Sequence, residues 1–150
     1  MEREPIVVER VLSAAPEVVY AAWGDAASLR SWMAPGFAGG ATVDVDFRVG
    51  GAFRIVMHEA ERDWVHHGEY LALEPPKCIV MTWVSDWAPA GEQRTLLRID
   101  LEPVGRQRTW LVLTHSELAA GPIYDRHPHG WTVRLERLDA VLTGRTDACP

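Results

Sequence analysis

From Thr42 to Ser116 the sequence runs in period two, broken only by short turn signals, and that pattern leaves few folds open. "TVDVDFRV" reaches the turn pair Gly50-Gly51, and "AFRIVMH" continues beyond it. "HHGEYLALE" stops at Pro75-Pro76, where "CIVMTWV" takes over. "TLLRIDLEP" and "TWLVLTHS" flank "VGRQR", a hairpin connection carrying one glycine. Six strands in succession with short connections predict a mostly antiparallel meander.

The flanks supply what such a sheet lacks. "IVVERVL" (Ile6 to Leu12) reads as one more strand. Pro16 then suits a first helical position, where its missing N–H is harmless. Val19, Ala22, Trp23 and Ala26 share one helical face, and a second short helix falls around "ASLRSWM", ending before Pro35-Gly36. Near the end, Trp131, Leu135, Leu138 and Leu142 form a single apolar stripe, with Arg134, Arg137 and Asp139 off it. The order is strand, two helices, six strands, long helix. A long twisted sheet must cover one face, and the last helix is the large element available to do so. A curved sheet gripping one helix tends to leave a space between them, so a pocket is expected there.

At 150 residues the chain has the size of one domain, and it can bury roughly 70% of its unfolded surface without metal or disulfide. Residues 143–150 read as a flexible tail. A net charge of −6 opposes non-specific binding to nucleic acid or anionic lipid. No apolar run is long enough to insert in a membrane, and the charged start does not read as a signal peptide, so a cytoplasmic protein is expected. Cys78 and Cys149 make no disulfide framework; Cys78 in "KCIVMTW" reads as a buried reduced thiol. Seven tryptophans call for a large core or a cavity to line.

Several stretches in order, "AAPEVVYAAW" with "LRSWMAPGF", "VDFRVGGAFRIVM", "HGEYLALEPP" with "MTW", "LVLTHSEL" and "HGWTVRLERLDAVL", resemble the SRPBCC superfamily, also called START-like or birch-pollen-allergen-like. Within it the chain resembles the branch named after the activator of the heat-shock-protein-90 ATPase. The resemblance implies an α+β helix-grip fold: a curved antiparallel sheet of about seven strands (β-α-α-β6-α) around a long C-terminal helix, with a cavity between. In that superfamily the cavity serves for lipids, hormones, polyketides and drugs. Two departures stand out. Met33 takes the place of a second tryptophan after Trp32, a softer thioether near the expected cavity mouth. Trp110 and Val112 stand where relatives often carry polar residues; they are expected on the outer sheet face, as a candidate homodimer contact.

Among residues able to carry chemistry, His127 and His129 bracket Pro128 at i and i+2, which do not share a helical face. They read as the exposed mouth of the last helix, with Pro128 in its first turn, rather than as metal ligands. His66 and His67 point to opposite faces of a strand, so one can reach the cavity. His115 shares a face with Leu111 and Leu113 and reads as a buried hydrogen-bonded imidazole, a ligand-orienting group, or a general acid or base. Trp32, Phe37, Phe53, Met57, Tyr70, Trp83 and Trp131, with Leu113 and Leu135, make a predicted cavity wall, although Leu71 and Leu73 claim the face opposite Tyr70. Asp46 and Arg48 read as an ion pair on one strand face. No GxSxG elbow, P-loop, GxGxxG turn or cysteine–histidine couple is present.

The expected function is binding of a hydrophobic or aromatic small molecule, with no cofactor and no metal. Two other readings stand beside it: a cyclase or hydrolase acting on a polyketide-like substrate with His115 as proton carrier, and, from the family name, a co-chaperone stimulating a heat-shock ATPase.

Overall fold

The computed structural model describes residues 4–33, 40–58, 61–86, 94–117 and 122–143, and of 122–130 the helical backbone alone. Seven strands form one antiparallel sheet in the order β1-β7-β6-β5-β4-β3-β2. They are β1 Ile6–Leu12, β2 Ala41–Val45, β3 Ala52–His58, β4 Asp63–Glu74, β5 Cys78–Ser85, β6 Arg94–Pro103 and β7 Thr109–Ser116. The six strands read as a meander pair each with the next, and β1 closes the series against β7 over its whole length, Ile6 opposite His115 and Leu12 opposite Thr109. Three helices complete the helix-grip α+β fold: α1 Pro16–Gly24, α2 Ala26–Met33 and α3 Pro122–Leu142. None of the described helices is long and apolar enough to cross a membrane.

Period two does the sorting. On β7, Leu111, Leu113 and His115 are buried while Trp110 remains exposed, its indole N–H donating to Glu9 at 3.0 Å. On β4, Tyr70 points in and Leu71 out, and a register shift between Tyr70 and Ala72 explains why the alternation there reads ambiguously. Against this inner face α3 lays Trp131, Leu135 and Leu138, all buried.

Some boundaries differ from those read in the sequence. β2 stops at Val45 instead of continuing to Val49, because Asp46–Gly51 forms the turn. Gly50 there adopts φ +84°, and the Gly51 amide donates to the Arg48 carbonyl. The Asp46–Arg48 pair exists, at 2.7 Å, but within this turn and exposed rather than on a strand face. Ala26 opens α2 rather than closing α1: Asp25 breaks the helix with an extended backbone, and its carboxylate accepts the Ser28 amide at 2.9 Å. The last helix begins at Pro122, so Pro128 lies inside it and not in its first turn; Pro122 itself fills the opening position. Asp139, off the apolar stripe as read, is nonetheless buried, because it faces β1 and accepts the Ser13 amide at 3.1 Å and Arg10 at 3.4 Å.

Candidate functional site between sheet and last helix

The inner face of the sheet and the inner stripe of α3 enclose one continuous apolar cluster. Trp32, Phe53, Met57, Tyr70, Trp83, Leu113, Trp131 and Leu135 all belong to it, and His115 sits beside them fully buried. The residues read as a cavity wall are thus brought together, with one exception: Phe37 lies outside the described residues. So do the side chains of His127 and His129 and the cysteine at position 149.

The aromatic rings form a connected series. Tyr20 meets Phe47 at 5.5 Å between centroids, Phe47 meets Tyr70 at 5.0 Å, and Tyr70 meets Phe53 at 5.6 Å. From Phe53 the series passes to Trp83 at 5.6 Å and on to Trp131 at 5.2 Å. On the helical side Trp23 packs edge-on to Trp32 at 4.7 Å, whose indole N–H donates to the Ala22 carbonyl. Tyr20 and Phe47 are additions to the wall read from sequence. Both carried a signal: Tyr20 is one turn before Trp23, and Phe47 continues the Val43, Val45 alternation past the end of β2. Gly24 makes the junction possible, since a Cβ there would fall inside the Phe47 ring. Burial pushes the Tyr70 phenol far above its ordinary range, so it stays a neutral hydroxyl.

His115 has a polar partner at each ring nitrogen inside this apolar setting. The Trp131 indole N–H donates to its Nδ1 at 3.1 Å. Thr95 Oγ1 lies 2.7 Å from its Nε2 and itself donates to the Trp83 carbonyl at 2.6 Å. The Thr95 proton is thereby committed to the carbonyl, and the remaining bond runs from Nε2–H to Oγ1. Only the neutral Nε2–H tautomer satisfies every member; a second ring proton would face the Trp131 N–H donor to donor. Thr95→Val should therefore destabilise the protein by about 1–3 kcal/mol in urea unfolding, as it keeps the shape and removes the hydroxyl that bonds both His115 Nε2 and the Trp83 carbonyl. In a His115→Phe background the same substitution should cost less.

The other histidines divide as period two requires. His66 is buried, stacked on Trp83 at 4.9 Å with Nδ1 2.9 Å from Ser85 Oγ, whereas His67 is exposed. Among the described residues no group of histidine, cysteine and carboxylate side chains could hold a metal ion. Cys78 is free and buried, and burial is the main cause that raises its pKa. An open groove of about 540 Å³ lies on the other side of the sheet, where Asp44, Arg54, His67 and Asp86 contribute to its walls. Its walls mix charged side chains with Ala52, Phe53 and Val65, and it does not correspond to the pocket anticipated between sheet and helix.

Comparison with known proteins bears on the whole arrangement. A family profile described as "Activator of Hsp90 ATPase homolog 1-like protein" matches residues 13–143. A crystal structure of a protein from Chromobacterium violaceum is 30% identical, with 93% of this chain and 96% of that one covered and a TM-score of 0.76. A Plasmodium falciparum protein described as an HSP90 activator is 22% identical, covering 94% and 97%, at a TM-score of 0.75. The solution structure of the Aha1 dimer from Colwellia psychrerythraea is 21% identical, covering 93% and 96%, at 0.72. A search of curated proteins finds no match.

Proposed function

The chain belongs to the activator of Hsp90 ATPase homolog 1-like family, and from that premise we propose that it is a carrier or sensor of a hydrophobic, aromatic-compatible small molecule held between the sheet and α3. The observation that carries this reading is the connected series of rings from Tyr20 to Trp131, gathered from two helices, three strands and a turn into one buried cluster. Aromatic walls with few, fixed polar groups are what small-molecule pockets are made of. His115 supplies such a group by orienting Trp131, and both of its ring nitrogens are already engaged. That engagement favours a positioning role over proton transfer, and so favours a binding protein over a cyclase or hydrolase. The co-chaperone reading rests on the family name and on the Plasmodium relative.

We also propose self-association through the outer face of β1 and β7, where Val7, Val11 and Trp110 are exposed at 54%, 41% and 36%. Native mass spectrometry of freshly purified protein, beside the same sample denatured, tests both proposals. An added mass that vanishes on denaturation, on a dimer, is the expected result. A monomer would remove the dimer, and a protein that stays unliganded after incubation with a panel of hydrophobic compounds would remove the carrier.

A further inference from the structure

The same region carries an unbalanced set of hydrogen-bond donors. Arg134 lies one turn beyond Trp131 on α3; its guanidinium sits over the Trp131 ring at 5.3 Å, and its Nε donates to the Met33 carbonyl at 3.1 Å. Five other arginines, at positions 10, 48, 62, 94 and 98, each have a carboxylate oxygen within 3.5 Å. Arg134 has none among the described residues. It keeps a minor part of its surface in solvent, yet its packing desolvates it enough to pull its pKa down to about 10, so at neutral pH it remains a cation. The C-terminal end of α2 at Met33 offsets part of that charge and uses only one arm of the guanidinium fork.

The wall near it is unsatisfied in the same sense. Trp23, which packs on Trp32 beside Met33, has a buried indole N–H with no hydrogen-bond partner among the described residues. A buried polar atom without a partner is costly, and each one asks for an explanation. Every unmet group here can donate, and one is a cation with a planar fork suited to two oxygens.

Resting on the carrier reading above, we propose that the ligand is a hydrophobic carboxylic acid: its apolar body lies against the aromatic wall, its carboxylate sits on Arg134, and any further polar atom is an acceptor for Trp23. The test uses two probes of nearly equal size, 2-naphthoate and 2-naphthalenemethanol, titrated at pH 7 into the full chain by calorimetry. The wild type should bind the acid at least about tenfold more tightly than the alcohol, since a charge-assisted fork is worth about that. Arg134→Gln should abolish the preference by weakening the acid alone, leaving the alcohol within about twofold. Arg134→Lys keeps the charge without the fork and should retain part of the preference, which also serves if the glutamine variant does not fold. Equal affinity for both probes in the wild type would overturn the proposal while leaving the pocket standing. A preference that survives Arg134→Gln would overturn it too, as would an equal loss of both probes with a lowered Tm, which marks a structural arginine. Binding of neither probe by the wild type would remove the proposal and the carrier reading together.

Discussion

Gly68→Ala is expected to cost this protein about 3 kcal/mol or more, at the top of the range for overpacking, although it adds a single methyl group. Gly68 lies in β4 between β3 and β5, opposite Phe53. A Cβ at this position would fall on the carbonyl oxygen of Thr82 in β5, with the Phe53 ring only 2.8 Å away on another side. Thr82 cannot withdraw cheaply. It is paired to Leu96 of β6, and its hydroxyl accepts the Glu69 amide at 2.8 Å. The demand for glycine is one of space, because the Gly68 backbone has no positive φ. Gly105→Ala is the informative control. There φ is +132° and the surroundings are open, so the cost should be about 1–3 kcal/mol, from backbone conformation alone. Urea midpoints for the two variants should differ accordingly; a Gly68→Ala protein as stable as the wild type would mean that β4 and β5 do not approach as described.

Trp131→Ala is the second large effect expected. Trp131 is buried between Trp83 and His115, and truncating it opens a cavity worth about 3–5 kcal/mol. It also removes the indole donor to His115 Nδ1, adding about 0.5–1.5 kcal/mol for the lost hydrogen bond. Against a total stability of about 5–15 kcal/mol for a domain, this single change brings the protein close to unfolding at room temperature. Trp131→Phe separates the two contributions. It retains most of the apolar volume and loses the N–H, so its cost should fall near that of the lost hydrogen bond alone. Equal stability of Trp131→Phe and wild type would show that the indole–imidazole hydrogen bond contributes nothing.

What could be read in the sequence follows the range of each interaction. Strand β7 and strand β1 fall at the predicted residues, because alternation is local. β2 was overrun, since Asp46, Phe47, Arg48 and Val49 keep the alternation into a turn set by Gly50 and Gly51. The inward residues of the wall were legible for the same reason that the strands were. A buried, hydrogen-bonded His115 was legible too, but its partners were not, because Thr95 and Trp131 are 20 and 16 residues away and only the folded chain brings them to its two nitrogens. Arg134 was even less visible: lying off an apolar stripe, it looks like a solvated face until α2 is seen packed against it. Gly24 and Gly68 are similar cases, since their importance lies in what approaches them from elsewhere in the chain.

The indole N–H signals give the most direct test of binding between sheet and helix. The seven tryptophans give separate reporters in a nitrogen–proton correlation spectrum, assigned by single tryptophan-to-phenylalanine substitutions. Trp23, Trp83 and Trp131 belong to the buried cluster between sheet and α3, and Trp110 lies on the opposite side of the sheet. On addition of 2-naphthoate the three inner signals should shift together and saturate at one ligand per chain, with Trp110 unmoved. Saturable shifts confined to Trp110, or no shift at any indole up to the solubility of the probe, would contradict the account.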